Sequence, residues 1–344
     1  MSQNGCRLSI VLSTYNRCEM LGPALDRLLA QSPDSPPYEV IVVDNHSTDD
    51  TAAVVESCIG RRPGRLRYIF EPRQGLSDAR NAGLAAARGD LVAFTDDDVR
   101  VSEGWARAIV RAFDEYPEVD CLGGRTLPVW PSPPPRWLTP LHWVGPLALQ
   151  DYGEDPVVID PRRPRSLAGA NLAFRTKVFE HIGLFSPKFP RSEDTELLLR
   201  FWRGGRRALY VPDMLIHAAV QPERLTKTYH RRWHANIGRC NARMAFEEMV
   251  DPIHGLRTPP GLRRIYGVPA FAIRQATVEL CRWLAHSVAG SEAQAFLHET
   301  SLRRLVGYIR ENRSMSQAAK AGDHASSEVG RPGGVAAVSS RGPS

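Results

Sequence analysis

Three consecutive carboxylates, Asp96-Asp97-Asp98, follow the apolar run Leu91-Val92-Ala93-Phe94 after a single threonine, Thr95. Adjacent carboxylates repel and raise one another's pKa, and a hard divalent cation such as Mg²⁺ or Mn²⁺ relieves that repulsion through oxygen ligands. Taken alone, the run also reads as a solvated acidic turn. A second acidic pair, Glu193-Asp194, stands before the helical run Leu197-Leu198-Leu199-Arg200-Phe201-Trp202. A helix N-terminus stabilises carboxylates through its dipole, although an ordinary cap explains the same residues. His217 follows the strand-like segment 208–211 and Pro212 as a lone histidine, a type that is more often structural than a ligand.

Positioning these groups requires a rigid scaffold, and the first hundred residues supply its pattern. A compact apolar run at 7–12 leads through Ser13-Thr14-Tyr15-Asn16-Arg17 into a helical pattern at Leu21, Leu25, Leu28 and Leu29. The order recurs. The strand-like segment 38–43 leads to Asp44-Asn45-His46-Ser47 and a helix started by a Ser47-x-x-Asp50 capping pattern, and the segment 66–70 leads to a loop and an Ala-rich helix over 77–88 stopped by Gly89. A fourth strand delivers the aspartates. Alternation of strands and helices predicts an α/β class, with a mostly parallel, Rossmann-like sheet flanked by helices. Ligands bind such sheets beyond the carboxyl ends of the strands, so Ser13-Thr14, Asp44 and Asp96 to Asp98 are expected on one rim.

The chain of 344 residues, 42% hydrophobic and 24% charged, has an ordinary globular composition. No apolar run approaches the roughly 20 residues of a membrane span, and the first residues lack a signal-peptide core, so a cytoplasmic protein is expected. Six cysteines without a C-x-x-C or a neighbouring histidine argue against zinc and against a disulfide framework. Residues 1–199 hold 22 Lys and Arg against 27 Asp and Glu, whereas residues 200–344 hold 22 against 11. The basic part is therefore expected to face something anionic, a phosphorylated substrate or the cytoplasmic leaflet; no nucleic-acid recognition motif accompanies it. Residues 1–220 are expected as the catalytic domain, 221–313 as a basic helical extension, and 314–344 as a disordered Ser-, Gly- and Ala-rich tail. Pro128 to Pro140, with Trp130, Trp137 and Trp143 nearby, reads as a semi-rigid loop packed on the surface or flanking an acceptor groove.

In order along residues 1–220 stand Ser13-Thr14-Tyr15-Asn16, Val42-Val43-Asp44-Asn45-His46-Ser47-Thr48-Asp49, Gly75-Leu76-Ser77-Asp78-Ala79-Arg80-Asn81-Ala82-Gly83, Asp96-Asp97-Asp98, Gly169-Ala170-Asn171 and Glu193-Asp194. This succession resembles the family 2 glycosyltransferases of GT-A fold; the final third of the chain does not share the resemblance. The resemblance implies inverting, metal-dependent transfer from a nucleotide-diphospho-sugar, with UDP the commonest base, to a saccharide or lipid-linked acceptor in cell-surface polysaccharide or glycolipid synthesis. It places Thr14, Asn16, Asp44, Arg80, Asp96 and Asp97 at the donor, and Gly169, Asn171 and Glu193 at the acceptor. Asp194 is the implied catalytic base, and Asp98, Asp96 and His217 the implied ligands of Mn²⁺ or Mg²⁺. Polysaccharide synthases of the family carry Q-x-x-R-W and membrane spans; only Arg231-Arg232-Trp233 stands here, which favours single addition and leaves the basic extension to meet the inner face of the plasma membrane or to hold a phosphorylated acceptor directly, with packing on the catalytic domain the default for its helices. A sugar-phosphate nucleotidyltransferase would need a Gly-rich, basic loop after strand one, and an inactive binding module would show loss of Asp98 or Asp194.

Overall fold

The structure, a computed structural model, describes residues 5–61, 64–244, 249–251, 255–257 and 263–329. Strands β1 (Leu8–Thr14), β2 (Tyr38–Asp44), β3 (Leu66–Phe70) and β4 (Leu91–Asp96) alternate with helices α1 (Cys18–Leu29), α2 (Thr51–Arg61) and α3 (Leu76–Ala86). They pair in parallel, in the order β3-β2-β1-β4. Every residue of β1 and β2 is buried. Both faces are covered: Ile10, Leu12, Val40 and Val42 point into one core, while Val11, Ile41, Val43 and Phe94 point into the other. Such strands read as continuous apolar runs because neither face meets water.

Beyond β4 the sheet becomes mixed. Short β5 (Val99–Val101) and helix α4 (Trp105–Glu115) precede β6 (Cys121–Val129), β7 (Val157–Ile159) and β8 (Leu172–Arg175). After α5 (Phe179–Ile182) and α6 (Glu193–Arg203) comes β9 (Ala208–Ala219). The order continues β4-β8-β6-β9-β5, with β8 antiparallel to β4 and to β6, and β7 also on β9. Parallel pairing requires a crossover for each strand, and the long loop from β6 to β8 returns the chain in the opposite sense instead. Strand β9 runs past Val211 to Ala219, so Pro212 and His217 lie within it. Its register on β6 shifts between Gly124 and Thr126, leaving 212–215 out of that ladder and sparing Pro212 a bond it cannot donate.

Helices α7 (Lys227–Arg243), α8 (Ala270–Val288) and α9 (Glu292–Val329) form the C-terminal extension. Gly238 and Gly307 let α7 and α9 touch backbone to backbone, since a Cβ at either position would strike the facing carbonyl of Arg304 or Ala235. The extension packs onto the catalytic unit through the proline-rich loop. Trp137, Leu138, Leu147 and Leu149 share a core with Phe296 of α9, and the rings of Trp137 and Phe296 lie 4.7 Å apart. The tryptophans of this loop are thus largely packing residues. Helix α9 continues through 314–329, which corrects the expectation of disorder there, since the Ala, Gln and Glu of that stretch suit a helix already nucleated upstream. Residues 330–344, the rest of the expected tail, lie outside the described residues.

Candidate active site

Parallel register brings the rim together. Thr14 pairs with Asp44 across β1 and β2, and Ser13 with Asp96 across β1 and β4, so three loops separated by dozens of residues open at one edge. Asp97 turns inward, accepting from the Thr14 hydroxyl at 2.7 Å and from Arg17 Nη1 at 2.9 Å. The same Arg17 nitrogen reaches Asp98 Oδ2 at 3.1 Å. Arg17 therefore stands as the counter-ion between two carboxylates, the position a cation would take. Its one signal in the sequence is a guanidinium directly after Asn16 in the loop that follows the first strand; its closeness to the acids arises only in the fold.

Arg80, projecting from α3, is 3% exposed. Its Nη2 donates to Asp96 at 3.3 Å and its Nη1 to Glu193 at 3.0 Å, tying the β4 end to the start of α6. Burial, only partly offset by Arg80, holds the carboxyls of Asp96 and Glu193 above their usual range, and neighbouring acids push the same way. Burial likewise raises Asp97 despite Thr14 and Arg17. Asp194 sits in the first turn of α6, half-buried, with Oδ1 accepting from the Thr195 N–H at 2.6 Å and hydroxyl at 3.2 Å. Its Oδ2 accepts no hydrogen bond among the described residues and faces Gly169, where an added Cβ would lie 2.7 Å away.

Several residues expected to meet a ligand also hold partners within the protein. Asn171, expected at the acceptor, is fully buried. Its amide donates to the carbonyls of Arg125 and Met214 at 3.0 and 2.9 Å and its oxygen accepts from the Trp105 indole at 2.9 Å. That side chain satisfies backbone groups left open by the β6–β9 register shift, which sets its position as structural. Glu193, also expected at the acceptor, is buried against Arg80. Asp44 is 2% exposed and accepts from the Ser47 N–H and the Tyr68 hydroxyl. Thr14 is spent on Asp97 in the same way, and Asn16 at the exposed rim accepts from the Thr48 N–H at 2.7 Å. Thr14, Asn16, Asp44 and Asp97 therefore shape the rim loops. Gly169, Asp194, Arg80 and Asp96 are brought together. His217 pairs in register with Arg100 of β5, and among the described residues no three His, Cys, Asp or Glu side chains converge as a ligand set. Asp96, Asp98 and His217 are thus not gathered as the expected triad; the oxygen donors of Asp96 and Asp98 still suit a hard divalent ion, whose remaining ligands a diphosphate can supply.

A family model described as glycosyl transferase family 2 matches residues 9–183, half of the chain. The chain belongs to that family. Among curated proteins, the family 2 chain is 26% identical over 261 residues to the succinoglycan biosynthesis protein ExoM of Rhizobium meliloti, covering 75% of this chain and 80% of that one. It is 24% identical over 191 residues to the glucosyl-dolichyl phosphate glucuronosyltransferase of Haloferax volcanii, covering 55% of this chain and 58% of the relative. An uncharacterised glycosyltransferase of Nostoc is 37% identical over 92 residues, 27% of this chain and 28% of that one. The chain thus matches less than two thirds of the length of the last two relatives. Two solved structures share the GT-A fold. TarS 1-349 of S. aureus in complex with UDP-GlcNAc superposes with a TM-score of 0.55 at 18% identity, covering 91% of this chain and 92% of that one. A mannosyltransferase of Pyrobaculum calidifontis in complex with GDP-Man and Mn²⁺ gives 0.53 at 19% identity, over 95% and 79%.

Proposed function

We propose that this protein is an inverting, divalent-metal-assisted glycosyltransferase that moves a sugar from a nucleotide-diphospho-sugar, UDP-linked in the first instance, to the hydroxyl of a saccharide or lipid-linked acceptor in cell-surface polysaccharide or glycolipid synthesis. One observation carries this reading: five carboxylates, Asp96, Asp97, Asp98, Glu193 and Asp194, meet two guanidinium groups, Arg17 and Arg80, at the rim. Such an excess of acid beside a free carboxylate oxygen suits a cation-bound, departing anion on one side and proton removal on the other.

Asp98 and Asp96 would hold Mg²⁺ or Mn²⁺, which when bound neutralises charge accumulating on a diphosphate. Asp194 acts as general base. Thr195 fixes Oδ1, which leaves Oδ2 aimed past Gly169. The acceptor hydroxyl passes its proton to Oδ2 while its oxygen bonds to the sugar C1, and the C1–oxygen bond to the diphosphate breaks on the opposite face. Attack from opposite the leaving group inverts C1. Arg80 holds the two walls in register through Asp96 and Glu193. The basic C-terminal extension faces the anionic inner leaflet as the acceptor's source, and the protein works in the cytoplasm at that surface; no helix among the described residues is long and apolar enough to cross a membrane.

The test pairs binding with turnover. Asp194→Asn should keep UDP-sugar binding within about threefold and lose at least a hundredfold in transfer, the usual scale of general-base catalysis; unchanged turnover would refute the base assignment. With Asp98→Ala, the Mn²⁺-dependent rise in melting temperature produced by UDP should vanish. Equal UDP stabilisation of the wild type with and without Mn²⁺ would count against the metal site.

A further inference from the structure

Outside the rim, helices α7, α8 and α9 enclose a second cavity of about 270 Å³. Arg239, Arg303 and Arg310 line it together with Glu299, Trp283 and Leu302. Arg239 and Arg310 are exposed and make no ion pair among the described residues, whereas Arg303 shares Glu299 with Arg231. Glu299 is taken up by Arg231 and Arg303, so a partly apolar cavity that keeps two uncompensated guanidinium groups, Arg239 and Arg310, fits an anionic head attached to an apolar body.

The adjoining surface shows what that body is. On α8, Ile273, Leu280, Leu284 and Val288 are spaced by seven, four and four residues, which places them on one side of a helix. All four are exposed, Leu284 by 55% and Val288 by 90%. Tyr266, in the turn before α8, is 86% exposed. Trp283 lies three residues after Leu280 and one before Leu284, so the cavity wall runs to the edge of the stripe. Arg274 on the same helix makes no ion pair among the described residues. Apolar residues rimmed by unpaired arginines match a lipid surface of negative charge, because the side chains gain both from burial among acyl chains and from the phosphates above them.

We propose that the α8 face lies in an anionic membrane surface and that Arg239 and Arg310, at this cavity, seat the phosphate of one lipid headgroup. This rests on the membrane-facing reading of the basic extension given above and names its ligand and residues. Co-sedimentation with vesicles tests it. The full chain should bind vesicles of phosphatidylcholine and phosphatidylglycerol at 3:1 and leave pure phosphatidylcholine vesicles in the supernatant. Arg239→Ala with Arg310→Ala should weaken binding about thirtyfold, the product of two basic contacts at a charged leaflet. Leu280→Gln with Leu284→Gln should weaken it as well, while both variants keep native circular dichroism. Arg162→Ala with Arg163→Ala, the same charge change on exposed residues elsewhere, should bind like wild type, and inorganic phosphate should leave the bound fraction unchanged. Equal losses in the two arginine pairs would reduce the effect to net charge and overturn the cavity. Release by inorganic phosphate would overturn the lipid as its ligand. Wild-type binding retained in the Arg239/Arg310 and Leu280/Leu284 variants would overturn this site and leave membrane contact elsewhere on the extension. Failure of wild type to bind the anionic vesicles would overturn both, without touching the UDP and Mn²⁺ measurements.

Discussion

Gly169→Ala probes the site at its tightest point. The new Cβ would lie 2.7 Å from Asp194 Oδ2, 3.2 Å from Asp194 Cβ and 3.2 Å from Arg80 Nη1. Carbon and oxygen in ordinary contact stand well beyond that, so one of these groups must move by about 0.5 Å or more. Arg80 is the harder to displace, since it is buried and held at both ends by Asp96 and Glu193. Asp194 is fixed through one oxygen only, so its carboxylate rotates away. Misplacing a reacting group by about 1 Å costs up to 10²-fold, and half that displacement should lower kcat by about tenfold or more. The donor does not contact Oδ2 in the proposed geometry, so KM for the nucleotide sugar should change by less than about threefold. Overpacking costs about 1–3 kcal/mol of stability, which a melting curve will register separately. The assay is steady-state release of nucleoside diphosphate against donor concentration, run beside Asp194→Asn as the floor. A folded Gly169→Ala protein with wild-type kcat would refute the claim that Asp194 Oδ2 must occupy the space this glycine leaves open.

Two further outcomes follow from the charges. Arg17→Ala removes the guanidinium that bridges Asp97 and Asp98, so Mn²⁺ should half-saturate at lower concentration, as read by titration calorimetry with UDP present; weaker Mn²⁺ binding would show that Arg17 supports the ion instead of competing with it. His230 is fully buried, and burial lowers its pKa to about 4 from an unfolded value near 6.5. The unfolded chain then binds the proton first, so stability is highest above about pH 6.5 and falls toward pH 4 by up to about 3 kcal/mol from this group. Melting temperatures at pH 7.5 and 5.0 should converge in His230→Asn relative to wild type, and an unchanged gap would exclude His230 as the source.

How much of this was legible beforehand depends on the range of the forces involved. The parallel half of the sheet was readable because β1, β2 and β4 are buried on both faces, which writes unbroken apolar runs into the sequence. Strand ends followed, and with them the placing of Thr14, Asp44 and Asp96 on one rim. Side-chain commitments were not readable. Whether Asn171 meets a ligand or a carbonyl depends on the β6–β9 register shift, which arises from strands more than eighty residues apart. The same holds for Glu193, whose partner Arg80 lies 113 residues earlier. Pro212 breaks the local pattern and so ends the expected strand at Val211, whereas the fold absorbs it in a bulge and β9 runs on to Ala219. The expected tail failed differently: residues 314–329 lack a hydrophobic period, yet a helix begun upstream extends through them at little cost per residue.

The arrangement around Arg80 explains why this rim holds so many acids without falling apart. A lysine there would offer a point charge and could not face two carboxylates in fixed directions, whereas the planar guanidinium binds Asp96 and Glu193 through different nitrogens. Removing Arg80 would strand three buried or half-buried acids, Asp96, Glu193 and Asp194, in one volume, where burial already holds the carboxyls of Asp96 and Glu193 above their usual range despite that guanidinium. The imbalance in number is built into the fold: α3 supplies one guanidinium where β4 and α6 supply three carboxyl groups. In the proposed mechanism, a rim with more carboxyl groups than guanidinium groups favours an anion arriving with its own cation over a bare anion. Under the proposed mechanism that preference follows from α3 and α6 converging on the end of β4, which places the proposed donor side and the proposed base side in one unit.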